Sequence, residues 1–534
     1  SMTIHAQSGQ TLGATVTDVT AEIPSYTAPG VPLIIKGKSQ ASLQAMANWV
    51  NQSPVSAMIG NPFVGTTATG NASLELELNI PITDLERTAV SGAVLLNGNT
   101  IKMQNVPELA AAQGRVSFTE KGVWGSSLTA NVYGCDALGN ITTDDQGKIR
   151  ITASANATPY AASRIIDSPA IASLLTHAEG AAPVNTVVEI DHGVNIHVNS
   201  NLLGIKGNAP APFNKAADTA WPLQFDFVPC SSKEKCSAKM MLSIDEVLGM
   251  QIHYNDTDQG LKTQRGILSV GKRSNANPTA DGLALIIQSP SLKWEDWEGI
   301  LTEAQEALSS DPKRDMKTLD LNRADIQIGR LIYKGLNFES VKVNARAYPS
   351  GAWSGNIAST LAKADFNFTP RTSHSHPLLT ANFDYLHIPR PELVDEAIKV
   401  APKETQSLPS VALTIKDLRY QDFNLGTLKL WAENEGSGPS TLWDLKQFSL
   451  ANSDATLSAN GSWNAGQRKN SQTTLEATLD VSDLGELLER FKLAHVINDG
   501  SGQVHAKLQW NGAPVDFNTD SLNGTISTTL ASGQ

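Results

Sequence analysis

His374 and His376, with His387 beyond, could offer ring nitrogens to a metal. They sit in or near the polar loop RTSHSHP and have no acidic or cysteine partner at ligand spacing, so no metal site is expected. Asp144-Asp145 and Asn255-Asp256-Thr257-Asp258 present carboxylates, but without the spaced oxygen ligands of a calcium loop. Turn chemistry accounts for both. Glu295, Asp296 and Glu298 could form the acid pair of a glycosidase, yet they open a probable helix, where acids suit the dipole. No GxSxG elbow, P-loop or Rossmann fingerprint occurs. The chain is therefore expected to be neither an enzyme nor a cofactor binder.

Cys230 and Cys236 bracket SSKEK, a polar tip between two extended runs. That arrangement suits a short disulfide loop in an oxidising compartment, or two separate thiols on a hairpin. Cys135, in VYGCDALGN, reads as a small buried apolar residue.

The formal charge is -12 and no block of Lys or Arg occurs. Nucleic acid, which is held by clustered cations, is excluded as a partner. With 40% hydrophobic and 18% charged residues, the chain can bury a large apolar surface yet is too polar for a membrane bundle. No apolar run nears the roughly 20 residues that span a bilayer. Ser1-Met2 reads as a cloning remnant and the last residues stop in mid-strand by their pattern, so a piece of a longer protein is expected.

The elements that must carry any function are strands. Period-2 alternation marks Leu74 to Ile80, Ile149 to Ala155, Val194 to Val198, Ile326 to Ile328, Val341 to Ala347, Val411 to Ile415, Leu428 to Leu430 and Ala455 to Trp463. Helical spacing is confined to Ser42 to Val50, Ser168 to His177, Trp294 to Leu308, Pro391 to Val400 and Asp483 to Phe491. The fold class is mainly β, repetitive, with a few short helices. Asp325 to Trp353 parallels Thr414 to Trp443: each reads strand, Tyr, Phe, strand, loop, Trp. Such units stack to bury a face that one alone leaves open. A soft division at about residue 220 gives segments 1–220 and 221–534, with the polar stretch Ser309 to Lys317 as a connector.

The C-terminal run sharpens this reading. Leu475, Ala477, Leu479 and Val481 alternate, Asp483 with Glu486 resembles a capping box, and Leu484, Leu487, Leu488 and Phe491 recur at helical spacing. Gly500 and Gly502 then reopen a strand through Val504, Ala506, Leu508 and Trp510, and Asn511-Gly512 signals a turn before a strand expected near Val515. The order DLGELLERF, GSG, QW-NG, Leu522-Asn523-Gly524 resembles the AsmA-like proteins of bacterial envelopes, in detail their YhdP branch. VSGAVLLNGNTIKM, GRVSFTEKGV, SNLLGIKGNAPAPFNKAAD with WPL, LKWEDW and LPSVALTIKDLRYQDFNLGTLKLWA follow in the expected order.

The resemblance implies an elongated antiparallel sheet folded lengthwise into a groove. It also implies a periplasmic segment of a protein anchored in the inner membrane, carrying phospholipid acyl chains between inner and outer membrane. The expected lining is Leu74, Leu76, Leu78, Ile326, Ile328, Val341, Val343, Val411, Leu413, Ile415, Leu428, Leu430, Leu457, Leu475, Ala477 and Leu479. The competing expectation is an envelope scaffold or assembly factor with a closed β core. A polysaccharide-acting solenoid would need acids and aromatic platforms on one face, and Trp124, Trp221, Trp353, Trp443 and Trp463 do not converge in sequence.

Overall fold

The computed structural model describes residues 1–534 apart from 12–13, 26–30, 53–64, 85–86, 104–105, 167, 192, 233, 259, 272–276, 310–319, 371–375, 391–408, 436–441, 465–470, 492–499, 515–518 and 534. His374, the helix expected over Pro391 to Val400, nearly all of the connector Ser309 to Lys317 and the strand start expected near Val515 lie outside the described residues. The chain is mainly β. Among the described residues, long ladders take 29 strands, and Ala178–Gly180 with Ile205–Gly207 forms a separate two-stranded sheet.

One compact unit comprises Ser1–Ile267, Arg273–Ala280 and Glu298–Leu319. Its described long-ladder strands, from Met2–Thr11 to Leu248–Thr257, pair antiparallel. Between Ile149–Ala157 and Ala182–Ile190 the chain inserts helices Pro159–Ile166 and Pro169–Leu175. The second follows the expected spacing. The first was not read from the sequence: it is only eight residues long, and although Ala161 is buried, Tyr160, Ile165 and Ile166 stay exposed. Past Ser200 a loop is tied by buried Lys215, whose ammonium donates to the carbonyls of Leu202, Ile205 and Ala216 at 2.8, 2.9 and 3.1 Å. Burial pushes this lysine's pKa down. Cys230 and Cys236 form a disulfide, Cα atoms 5.8 Å apart, between strands Leu223–Pro229 and Ala238–Ile244. Cys135 is buried with a free thiol.

The other unit comprises Leu268–Lys272, Asp281–Trp297 and Asp320–Gln534. Among the described residues its ladder is antiparallel except for two parallel pairs, Gly282–Lys293 with Leu321–Tyr333 and Leu378–Ile388 with Ser410–Tyr420. A parallel pair needs a long crossover rather than a hairpin. Helix Trp294–Ser309 lies in the first crossover, and most of the second lies outside the described residues. The repeat is visible here. Lys334 and Gln421 occupy matching hairpin turns, both at positive φ, 48° and 55°. The Asp483 carboxylate accepts the Glu486 amide at 3.0 Å and caps helix Leu484–Arg490, as the spacing of those two acids predicts.

Candidate functional site

Several of the residues suited to catalysis or metal binding are engaged structurally. The Asp144 carboxylate accepts the Gln146 and Lys148 amides of its own turn. His387 is paired with Asp417 at 3.2 Å, Glu295 accepts the Lys334 amide, and Asp296 pairs with Lys293. Among the described residues, no group of three metal-ligating side chains comes together.

What the ladders do bring together is a face. In the unit containing residues 320–534, register partners trace an unbroken row across twelve strands: Ile287, Ile326, Val343, Ile357, Ala364, Phe383, Ile415, Leu428, Leu450, Leu457, Leu479 and Val504. Register partners share a face, and so do residues two apart along a strand. A parallel row therefore runs beside the first through Ala381, Leu413, Leu430, Phe448, Ala459 and Ala477. A third passes through Val411, Ala432, Leu445, Gly461 and Leu475. None of these residues carries charge. Ile328 and Val341 face each other one step along the first row.

The opposite face, one residue out of phase, reads Asn382, Thr414, Lys429, Ser449, Ser458, Thr478 and His505 across the same strands. Several of its charges are paired. Asp384 bonds Lys416 and Lys363, each at 2.9 Å, and these contacts hold its carboxyl down to about 2.

The unit containing residues 1–267 builds the same pattern from different side chains. Its row runs Leu74, Val94, Val116, Gly125, Ile141, Ile151, Val188, Ile196, Phe227, Met240 and Ile252. Leu76 and Leu78 lie on the same face beside Leu74. Here Gly92 faces Phe118 across the ladder, and a Cβ at Gly92 would stand 2.6 Å from the Phe118 ring. Gly355 and Phe366 repeat the device in the other unit at 2.8 Å. A ring lying over a glycine keeps the face smooth where a larger pair would protrude.

Burial distinguishes this face from a core. Ile328, Val341 and Ile415 are buried, but the other thirteen residues expected to line a groove are only half-buried. The fully buried apolar residues are mostly alanines. The apolar rows thus lack the full cover that a second packed sheet gives in a sandwich.

All sixteen expected lining residues fall on these faces, each within its own unit. Sequence reasoning missed Phe383, Leu450, Phe227 and Met240. Leu450 was hidden because a ladder irregularity between Leu445 and Phe448 shifts the alternation, and Met240 because Met240-Met241-Leu242 is a continuous apolar run with no visible phase.

No solved structure matches the chain. The intermembrane phospholipid transporter YhdP of Escherichia coli strain K12 is 20% identical over 551 residues, which cover 98% of this chain and 40% of the transporter. The chain thus spans well under half the length of that relative. The YhdP protein family matches residues 1–534, so the chain belongs to the YhdP family.

Proposed function

We propose that this chain is a stretch of phospholipid conduit, with acyl chains lying on the uncharged rows while head groups stay in water. The protein it belongs to would be anchored in the inner membrane and carry lipid through the periplasm towards the outer membrane. The carrying observation is the row from Ile287 to Val504, free of charge across twelve strands and mostly half-buried. Each methylene in water costs roughly 0.8 kcal/mol, so a chain of about 16 carbons needs on the order of 13 kcal/mol of continuous apolar contact. Uniform aliphatic rows supply that evenly, without a strong local site to trap the lipid. No catalytic residue is needed.

A scaffold with a closed β core would bury Leu413, Leu430, Leu457 and Leu479 fully, and all four are half-buried. The test is mass spectrometry of lipids that co-purify with the folded chain, with a photo-crosslinker at Leu413 and at Thr414, its neighbour on the polar face. Phospholipid captured at Leu413 and not at Thr414 is the expected result. Capture at neither position would return the scaffold reading.

A further inference from the structure

In the unit holding residues 320–534, the face opposite the apolar rows carries a row of different chemistry. Its register partners run Ser354, Asn367, Thr380, Ala412, Trp431 and Gln447 across six consecutive strands. Each is one residue out of phase with Gly355, Phe366, Ala381, Leu413, Leu430 and Phe448 on the apolar side. Trp431 is 46% exposed. At the other end of the row Tyr348, 54% exposed, fastens its hydroxyl to the Ser354 hydroxyl at 3.0 Å. Four strand spacings, about 19 Å, separate Ser354 from Trp431. One exposed ring is ordinary on a protein surface. Here two rings bracket a bed of amides and hydroxyls.

Between the rings Asn367 is exposed, and Thr380 and Ala412 are half-buried. The Thr380 hydroxyl donates to the Asn367 carbonyl at 3.4 Å, which leaves its oxygen able to accept. The adjoining row on the same face reads Asn344, Asn356, Asp365, Asn382, Thr414, Lys429 and Ser449, with the Asn344 amide donating to the Asn356 oxygen at 3.2 Å. From Ser354 to Gln447 the row itself carries no charge. Around it the signs are mixed: Arg346 and Lys429 are cations, Asp365 is an anion, and beyond Trp431 a single Lys446 is shared by Glu433, Glu435 and Asp444. Neither an anionic nor a cationic ligand finds a matching field there.

An uncharged ligand with both apolar faces and polar edges does match. The C–H face of a sugar ring lies against the electron-rich face of Trp or Tyr, while the hydroxyls at its edge bond to Asn, Thr and Ser. A side-chain amide donates and accepts at once, so it pairs reciprocally with an acetamido group. We propose that Tyr348, Asn367, Thr380, Trp431 and Gln447 form a binding site for an uncharged, N-acetylated glycan strand, which lies across the β-strands with sugars stacked on the two rings. The site is on the opposite side of the sheet from the apolar rows, and it does not rest on the conduit reading. It gives this unit a hold on polysaccharide that leaves the apolar face unobstructed.

The test is isothermal titration of the whole chain with tetra-N-acetylchitotetraose and with cellotetraose, which lacks the acetamido groups. The N-acetylated oligomer is expected to bind, and cellotetraose about tenfold more weakly, the weight of roughly one hydrogen bond to an amide. Trp431→Ala is expected to weaken binding about tenfold through loss of one stacked ring, with the thermal midpoint retained because the ring is exposed. Trp294→Ala removes a comparably exposed ring from helix Trp294–Ser309 and is expected to leave binding unchanged. Binding of neither sugar, or an equal loss in the two variants, would overturn the site. Equal affinity for the two oligomers would overturn the acetamido assignment. Trp431-dependent binding to phosphatidylcholine vesicles, without sugar binding, would make the ring a membrane contact and overturn the glycan reading.

Discussion

The unit built on residues 1–267 and the unit built on residues 320–534 carry the same uncharged row across their strands, but they stabilise its margins differently. The first uses covalent and buried-cation ties: the Cys230–Cys236 disulfide at a hairpin tip and Lys215 bound to three carbonyls. The second uses a helix pinned by Arg490 to Asp454 at one set of strand ends and tryptophans at the other. The shared rows show that an apolar face of this length requires only alternation and register. The margins are where each unit can acquire stability or polarity of its own, because side chains there are not constrained by neighbours on both sides.

The largest expected effect bears on the shared part. A carboxylate placed in either row, Leu413→Asp or Ile151→Asp, should reduce lipid transfer between vesicles at least about tenfold while the variant stays folded by circular dichroism, since a charge on an acyl path has no compensating partner. Normal transfer by Ile151→Asp alone would break the comparison, leaving only one unit as a path.

The margins should respond separately. Asp454→Ala leaves the Arg490 guanidinium without its carboxylate and is expected to destabilise its own unit by about 3 kcal/mol, read from urea unfolding. Reduction of the disulfide should destabilise only the other unit, by about 2 kcal/mol, because the closed loop is short. Hydrogen exchange resolves the two: protection should fall around Leu484 to Arg490 in the first case and around Leu223 to Ile244 in the second. A uniform loss in both would mean that the margins are not independent.

The smallest effect lies on the polar face. Lys416 and Lys363 depress the Asp384 carboxyl to about 2. Its stabilising contribution is therefore complete above the ordinary carboxylate pKa of about 4 and is lost as pH falls from there towards 2. Exposure and salt screening keep it small, so Lys416→Ala is expected to leave the unfolding free energy nearly unchanged and to flatten the acid limb slightly. A larger loss would show that this face is covered rather than wet.

Much of this was legible in the chain. Alternation exposed the strands because a half-buried strand must place apolar and polar residues on opposite sides, and Asp483 with Glu486 marked a helix start because a cap has fixed spacing. The repeat also held, since Lys334 and Gln421 turn at matching places. Other features had no local signature. Helix Pro159–Ile166 is only two turns long, too short to set out a clear period, the parallel pairs depend on crossovers, and Leu450 sits beyond an irregularity that reverses the phase of its strand.

By itself, then, the sequence determined that the chain is a repetitive β protein with an uncharged side to each strand, because side-chain alternation is a property of one strand alone. Only the tertiary structure decided that these sides join into rows twelve and eleven strands long, that Trp443, Trp463 and Trp510 meet at one end, and that the residues of the rows are mostly half-buried. Register between strands is set by hydrogen bonds across residues far apart in sequence, and whether a face is covered depends on what packs over it, which no period along a single strand records.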